Sequence, residues 1–345
     1  MKAWQLHDFG LENLRLDEVP TPTPGPHDLL IRVGAVSLNF RDKAIVDGIY
    51  EPQMIPKPLI PVSDAAGEVV QVGAAVTRFK VGDRVTSHLY SHWLAGEAAP
   101  DEPAYCFGAP LPGGLAEYMI IQEESAVAAP ANMTDEEAAT LPIAALTAWF
   151  SLVQYGNLQA GDSVLIQGTG GVALFGVQIA KALGARVIVL TSSDAKGERV
   201  KALGADEVIN YVQQPDWENA VLALTGGRGV DQVLEVVGGN GLNQSIKATR
   251  PEGQVAVVGF LQGQTAQLDL MNIIFRKVRI QGIAVGHRQA FEEMNQALAQ
   301  HNIQPVIDTV YPFDQAKAAY EHQGRGGFGK IVIRVALPQQ MLHDS

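Results

Sequence analysis

The spacing of hydrophobic positions changes near residue 130. Before it, short β-branched runs such as Leu29 to Ala35 are separated by proline and glycine, with little helical periodicity. This pattern predicts a compact β domain. From about Thr134 the period becomes 3.6, which predicts one helix from Asp135 up to Pro142 and another from Ile143 to Tyr155.

Beyond these helices, six apolar strands alternate with helical segments. The strands are predicted at Ser163 to Gln167, Arg186 to Thr191, Glu207 to Asn210, Asp231 to Val236, Gln254 to Val258 and Val278 to Ile283. Such alternation predicts an α/β fold with a doubly wound, six-stranded parallel sheet. Val306 to Val310 and Lys330 to Val335 return to β character, and we expect them to pair with the N-terminal domain. The predicted domains are 1–126 with 289–345, and 127–288.

The first of the six strands runs into a glycine-rich turn that opens a helix, Gly168-Thr-Gly170-Gly171-Val172-Ala173. A dinucleotide site uses glycine for a tight reversal, here Gly168, and for close approach to a pyrophosphate, here Gly170. Helix packing would involve Gly171 to Ala173. Because the helix ends at Gly184 and a second strand follows, we predict a βαβ unit that binds a nicotinamide dinucleotide. A plain strand-to-helix turn is the alternative.

The end of the second strand favours NADPH over NADH. An acidic residue that would bind the adenosine ribose is not found there. Ser192, Ser193 and Lys196 instead offer two hydroxyls and a cation to a 2′-phosphate. Asp194 could be a displaced ribose ligand, Ser193 or Asp194 could cap the next helix, and Lys196 could be a solvated charge.

Composition narrows the class of protein. The net charge of −12 argues against nucleic-acid and anionic membrane partners, which require a basic surface. The apolar run Ala138 to Val153 contains Pro142 and is expected to fall short of a membrane span, and the N-terminal residues show no secretory signal. Cys106 is the only cysteine, which suits a reducing compartment. We therefore expect a cytoplasmic enzyme with a small-molecule substrate.

Several motifs together resemble the medium-chain dehydrogenase/reductase superfamily, over nearly the whole chain. They are Val36 to Asp42, Gly48 to Tyr50, Ala66 to Val69, Val81 to Val85, Leu141-Pro142, Leu146 to Trp149 and Gly329-Lys330. The Asn39 to Tyr50 form is similar to the quinone oxidoreductase branch. The resemblance implies a GroES-like catalytic domain and a Rossmann NADP-binding domain. It also implies a homodimer in which the sixth strand pairs across a twofold axis. The alternative is an exposed sheet edge whose flanking charged residues prevent pairing with another chain.

Zinc alcohol dehydrogenases of this superfamily place their catalytic zinc ligands where this chain has Asn39, Ser63, Asp64 and Ile143. Those ligands are not kept, and Cys106 lacks the partner thiols of a structural zinc lobe. His88 and His92 are expected to be surface or substrate-loop residues. We therefore expect no metal site.

Without a Lewis acid, a soft electrophile is expected, such as an α,β-unsaturated carbonyl compound or a quinone. The resemblance implies that Asn39 donates a hydrogen bond to the carbonyl or enolate oxygen and that Tyr50 donates or relays a proton. Asn39 could instead fix the loop or the cofactor amide, and Tyr50 could be a wall of the site. Arg41 and Asp42 are expected to form an ion pair that shapes the loop.

The remaining cofactor candidates fall into two groups. The resemblance implies Thr147 near the nicotinamide, Tyr211 near the adenosine phosphate and Lys330 on a returning cofactor-side segment. Chain order places three more after the fifth and sixth strands, Gly259, Phe260 and Val285.

The predicted function is NADPH-dependent, zinc-free reduction of enones, enals or quinones. The alternatives are an alcohol dehydrogenase or carbonyl reductase of the same superfamily, and a non-catalytic NADPH-binding protein.

Overall fold

The computed structural model describes residues 1–336, which divide into two compact units. Of these residues, 1–144 and 287–336 form unit 1, and 145–286 form unit 2. The first boundary lies later than the predicted 126, since residues 127–144 belong to unit 1. The reason is contact: strand residues 126–128 pair with residues 85–87, and Arg84 forms an ion pair with Asp135 at 2.6 Å.

The elements of the described residues are numbered in chain order. The strands are β1 Lys2–Leu6, β2 Leu14–Glu18, β3 Asp28–Leu38, β4 Asp64–Val72, β5 Arg84–Ser87, β6 Tyr118–Gln122, β7 Ala126–Ala128, β8 Ser163–Gln167, β9 Arg186–Thr191, β10 Glu207–Asn210, β11 Val230–Glu235, β12 Thr249–Val257, β13 Arg279–Gly282, β14 Ile307–Pro312 and β15 Lys330–Arg334. The α-helices are α1 Phe40–Val46, α2 Asp135–Ala138, α3 Leu146–Trp149, α4 Gly171–Ala182, α5 Asp194–Ala202, α6 Trp217–Leu224, α7 Leu242–Ala248, α8 Leu270–Arg276, α9 Arg288–Gln300 and α10 Ala316–Arg325.

Unit 1 is built around one β sheet with the strand order β14-β15-β3-β4-β5-β7, while β6 also pairs with β3. Strand β15 lies antiparallel to β3, with Ile331 opposite Leu38, so the expected return of the C-terminal segment to the β domain is confirmed. That segment also contains α9 and α10. Helix α10 buries Ala319 and Tyr320 in the core of unit 1, which fixes the returning strands in place.

Unit 2 is the predicted six-stranded parallel sheet. Its strand order is β10-β9-β8-β11-β12-β13, and every neighbouring pair is parallel. The chain starts in the middle of the sheet and winds outwards in both directions, which is the doubly wound topology. All five residues of β8 are buried, which explains its unbroken apolar sequence.

The helix around Pro142 does not end where the sequence predicted. The segment Asp135–Tyr155 is one continuous helical stretch, with π-helical turns at Leu141–Ala145 and Phe150–Tyr155. Proline lacks an N–H group to donate, and a wider turn accommodates its ring. Contrary to expectation, the stretch is long and apolar enough to cross a membrane, but 78% of its most apolar window is buried, as in a core helix.

Candidate functional site

The glycine turn of unit 2 has the geometry that the sequence predicted at its first two glycines. Gly168 has φ +78°, and its N–H donates to the Leu190 carbonyl at 2.7 Å. A Cβ built on Gly168 or Gly170 would meet no atom within 4 Å outside the adjacent residues, so the space beside the turn is open. Because α4 begins at Gly171, the unpaired N–H groups of its first turn, at Gly171, Val172 and Ala173, are available to an anion.

The close packing of α4 on the sheet lies one turn later than predicted. A Cβ on Gly176 would lie 2.8 Å from Cδ2 of Leu234 and 3.3 Å from Cδ1 of Ile166. Gly176 is therefore the residue that lets the helix approach β8 and β11, and the expectation that Gly171 to Ala173 do so is corrected. The sequence signal was Gly176 on the apolar face of the helix.

The polar residues predicted to bind the adenosine phosphate lie where β9 and β10 end. Ser193 caps α5, its hydroxyl accepting from the Lys196 N–H at 3.5 Å, and Ser192 is exposed. The N–H of Tyr211 donates to the Thr191 carbonyl at 3.0 Å, and the Tyr211 side chain is exposed. Ser192, Ser193, Lys196 and Tyr211 are thus brought to one edge of the sheet.

Asp194 is turned towards the loop after β10. Its carboxylate accepts from Nδ2 of Asn210 at 2.7 Å and from Nε2 of Gln213 at 3.0 Å. These hydrogen bonds hold the pKa of Asp194 below its usual value. With both oxygens occupied in this way, Asp194 has a structural role, and a ribose would have to displace one of the amides.

The remaining predicted cofactor residues of unit 2 belong to other segments. Gly259 follows β12, and a Cβ there would lie 2.3 Å from the Val236 carbonyl oxygen, so its backbone closely approaches the end of β11. Phe260 comes next in the chain. Val285 follows β13 with φ +63°, which is strained for a β-branched residue. Thr147 is buried in α3.

Two buried polar residues of unit 2 are not predicted by the sequence patterns, Gln167 and Glu235. They stand at the ends of β8 and β11 and are joined by a hydrogen bond of 2.7 Å. The available signal was a charged residue inside the apolar run Val233 to Val237. Such a residue needs hydrogen-bond partners when it is buried.

Unit 1 contains a buried polar cluster formed by Asn39, Asp42, Ser63, Asp64 and Lys330. Strand pairing creates it. Ile331 of β15 lies opposite Leu38 of β3, which places Lys330 beside Asn39, and Asp64 of β4 lies opposite Ser37 of β3. Three distant parts of the sequence therefore meet at the carboxyl end of β3.

Lys330 is the centre of this polar cluster. Its Nζ donates to Oδ1 of Asn39 at 2.5 Å and to the Leu38 carbonyl at 2.6 Å, and the residue is only 3% exposed. The family resemblance implies a cofactor-side segment for Lys330, with a solvated lysine at the start of a strand as the alternative. That alternative is wrong: the ammonium group is buried and bonded to the predicted catalytic amide.

Two carboxylates complete the polar cluster. Asp64 accepts from the Ile143 N–H at 3.0 Å and from the Ser63 hydroxyl at 2.8 Å, and Asp42 accepts from the Asn39 N–H at 2.7 Å. Burial raises the pKa of Asp64, while the charge of Lys330 acts in the opposite direction. Burial and the neighbouring Asp64 raise the pKa of Asp42 to about 6. Burial also lowers the pKa of Lys330.

Arg41 and Asp42 do not form the expected ion pair. The Arg41 guanidinium donates to the carbonyl groups of Phe107 at 3.0 Å and Ala109 at 2.5 Å. Its central carbon also lies 5.4 Å from the centre of the Tyr50 ring, which is partly buried against the core. Asp42 faces inwards, where it accepts from the Asn39 N–H. Arg41 points the other way, towards the Phe107 and Ala109 carbonyl groups, so the two side chains do not pair. Arg41 therefore fixes the segment around Phe107 and supports the Tyr50 ring.

The two histidines have different environments. His88 follows β5 in a loop and is fully buried, with its ring centre 6.4 Å from that of Phe291, so the surface alternative is wrong for this residue. His92 is exposed and stacks on Tyr105 at 3.9 Å. Cys106 is a buried free thiol whose pKa burial raises to about 11. Among residues 1–336, no group of three or more His, Cys, Asp or Glu side chains could hold a metal ion.

Comparisons with known proteins agree with this geometry. Residues 25–131 match the alcohol dehydrogenase GroES-like domain, and residues 171–300 match the family described as zinc-binding dehydrogenase. A zinc-type alcohol dehydrogenase-like protein of Schizosaccharomyces pombe is 37% identical over 96% of this chain and 98% of its own length. A chloroplastic quinone-oxidoreductase homolog of Spinacia oleracea is 32% identical over 94% of each chain.

Solved structures give the same assignment. A crystal structure from Sinorhizobium meliloti 1021 that carries a provisional alcohol dehydrogenase name superposes with a TM-score of 0.91 and 45% identity, over 97% of this chain and 98% of that one. Together these findings identify an oxidoreductase of a nicotinamide-dependent family, and the chain belongs to the medium-chain dehydrogenase/reductase superfamily.

Proposed function

We propose that this protein is an NADPH-dependent, zinc-free oxidoreductase that transfers hydride to enones, enals or quinones. The observation that carries the proposal is the bond between Lys330 and Asn39. At the positions where zinc ligands stand in zinc-dependent relatives, this chain has an amide, a hydroxyl and one carboxylate, and a buried ammonium group accompanies them. A zinc ion needs three or four ligands and is repelled by a cation.

The orientation of the Asn39 amide supports its role as a donor. Lys330 can only donate, so the oxygen of the amide must face the lysine. The Nδ2 group then faces Asp64, to whose carboxylate it donates, and its contact with the Ser37 carbonyl is long, at 3.5 Å. Because Nδ2 carries two N–H groups, the bond to Asp64 leaves one of them for a substrate oxygen. A neutral N–H donor suits the oxygen of an enone or quinone, on which negative charge develops.

NADPH, when bound, supplies the hydride. The residues that would hold it are the glycine turn for the pyrophosphate and Ser192, Ser193, Lys196 and Tyr211 for the adenosine phosphate. Asp194 keeps its negative charge, but Asn210 and Gln213 hold its carboxylate towards the loop after β10. Thr147, Gly259, Phe260, Val285 and Lys330 stay predictions for the nicotinamide side, and Tyr50 stays the predicted proton donor.

We also propose a homodimer in the cytoplasm, with no nucleic-acid or membrane partner. Helix α8 exposes Leu270, Met271, Ile274 and Phe275 by 55–73%, next in sequence to the edge strand β13. Exposed apolar side chains beside a sheet edge with free backbone groups are typical of an interface. The net charge of −12 disfavours anionic partners.

The experiment that tests the function measures oxidation of NADPH and NADH with 2-cyclohexenone, a benzoquinone and a saturated aldehyde. Each reaction is run with protein of known metal content, before and after exhaustive chelation. We expect turnover of the enone or quinone that prefers NADPH and survives chelation. Aldehyde turnover that disappears with the chelator and returns with zinc would overturn the proposal, and tight NADPH binding without any turnover would favour a non-catalytic protein.

A further inference from the structure

Glu235 is a buried carboxylate that the proposed chemistry does not use. It ends β11 and is fully buried. Its Oε1 accepts from the N–H groups of Val237 at 2.9 Å and Gly238 at 3.0 Å. Its Oε2 accepts from Nε2 of Gln167 at 2.7 Å and from the Ser245 hydroxyl. Four neutral donors thus converge on one carboxylate, which satisfies its hydrogen-bonding capacity.

Gln167 extends the connection to the glycine turn. It is the last residue of β8 and directly precedes Gly168. While its amide nitrogen donates to Glu235, its Oε1 accepts from the Val236 N–H at 3.1 Å. The two side chains therefore bind three successive backbone N–H groups: Gln167 binds that of Val236, and Glu235 binds those of Val237 and Gly238. The Gln167–Glu235 bond connects them to β8, the strand that enters the turn.

The loop 236–238 in turn contacts the segment after β12. A Cβ on Gly238 would lie 2.8 Å from Cα of Phe260, and the Gln262 N–H donates to the Val237 carbonyl at 2.8 Å. Gly259 packs against Val236 in the same way. The Glu235–Gln167 pair thus links the glycine turn with Gly259 and Phe260, two parts of the predicted cofactor site that are far apart in sequence.

We infer that Glu235 is a positioning residue for cofactor binding, which acts with Gln167 to hold the loop 236–238 and the glycine turn in one arrangement. This inference rests on the proposed function only in taking NADPH as the ligand. A carboxylate is required because an amide at this position would turn two N–H groups towards donors. Misplacing a binding loop by a fraction of an ångström weakens the contacts of a ligand that spans both segments.

The test is a reciprocal exchange of the two side chains. Glu235→Gln places a donor against the Gln167 amide, so we expect the Kd for NADPH to rise by about tenfold or more, as for an unsatisfied buried polar group. Gln167→Glu alone sets two carboxylates against each other and is also expected to weaken binding. In the double variant, the carboxylate introduced at position 167 would accept from both the Val236 N–H and the amide introduced at position 235. The Kd is then expected to return to within about threefold of wild type.

Ser245→Ala is the matched control, since it removes one donor to the Glu235 carboxylate and one acceptor of the Gln167 amide but leaves the Glu235–Gln167 bond and the loop contacts in place. Its Kd is expected to stay within about threefold of wild type. The turnover number at saturating NADPH should change little in every folded variant, whereas a general loss of structure would lower it. Binding is measured by fluorescence or calorimetry with NADPH itself, and folding by thermal unfolding.

Unchanged NADPH binding in Glu235→Gln, or no recovery in the double variant, would overturn the inference. If Glu235→Gln does not fold, NADPH binding is measured with Gln167→Met, which releases the Val236 N–H but keeps the Glu235 carboxylate. An unchanged Kd in Gln167→Met would then overturn the inference. If the wild-type protein itself fails to bind NADPH, the proposed function fails, which is a different result from equal binding by wild type and variant.

Discussion

The Nζ of Lys330 lies 2.5 Å from Oδ1 of Asn39, although the two residues are 291 positions apart. The first is the opening residue of β15 and the second directly follows β3, so the antiparallel pairing of these strands produces the contact. The bond orients the Asn39 amide and places a positive charge near Asp64 and Asp42. It relates the fold of unit 1 directly to the proposed zinc-free chemistry.

Lys330→Met should strongly destabilise the protein at neutral pH. It leaves Asp64 buried without its counter-charge and removes one of the two positive charges near Asp42, the other being Arg41. Breaking a buried charge pair costs about 3–5 kcal/mol. The double variant that also carries Asp64→Asn should recover much of the lost stability. The free energy of unfolding is measured by denaturant titration. Lys80→Met, at a side chain that is 83% exposed, is the control and should change stability by less than about 0.5 kcal/mol. Simple additivity of the Lys330 and Asp64 substitutions would contradict the predicted coupling.

Asn39→Asp should abolish most turnover without removing the acceptor of the Lys330 bond. The variant keeps an oxygen towards Lys330 but loses the N–H donor proposed to face the substrate. Loss of one such donor lowers kcat by about 10²-fold. Steady-state kinetics with an enone should show this fall in kcat, with the Kd for NADPH close to wild type. A wild-type kcat would mean that Asn39 has only a structural role.

Lys196→Glu should change the cofactor preference. If the Lys196 ammonium binds the 2′-phosphate, reversing its charge should raise the KM for NADPH by about tenfold or more and leave the KM for NADH within about threefold. Lys201→Glu, on the same helix and half-exposed, is the matched control. Equal effects of the two substitutions would show that only the general charge of α5 matters.

Asp42→Asn should alter how stability depends on pH. The pKa of Asp42 is raised from 3.8 to about 6 in the folded protein, so the folded state holds this proton more tightly than the unfolded state. The resulting stabilisation is complete below pH 3.8 and is lost as the pH rises through 6. The unfolding free energy of wild type minus that of Asp42→Asn should therefore fall by up to about 3 kcal/mol between pH 4 and 7. A constant difference across this range would contradict the assignment.

Phe275→Glu should disrupt the proposed dimer. Phe275 is 73% exposed on α8, where a charge would have to be desolvated at an apolar interface. Sedimentation should give twice the chain mass for wild type and a single chain mass for the variant. Leu16→Glu, at an exposed leucine of unit 1, is the control and should stay dimeric. A wild-type protein that sediments as a monomer would reject the dimer.

Local patterns were sufficient for much of unit 2. The strands Ser163–Gln167, Arg186–Thr191 and Glu207–Asn210 have the predicted bounds, and Gly184 follows α4 in the left-handed conformation with φ +82°. These features depend on neighbouring residues: an apolar run, a glycine stop and a short connection. The helix through Pro142 was mispredicted because buried packing on both sides of the proline outweighs its local tendency to end a helix.

The polar contacts were beyond sequence reasoning because they depend on strand register. A lysine at the start of a strand is usually solvated, and the burial of Lys330 follows only from its pairing with the end of β3. Glu235 and Gln167 meet because β8 and β11 are neighbours in the sheet, although 68 residues separate them. Which segments become neighbours is a tertiary property that local periodicity does not encode.

The most direct test of the central claim is to follow deuteride from 4-deuterated NADPH into 2-cyclohexenone, with protein freed of metal by chelation. We expect cyclohexanone that carries deuterium at the β-carbon, formed at the rate of untreated protein. An allylic alcohol with deuterium at the carbonyl carbon, formed only after zinc is restored, would contradict it.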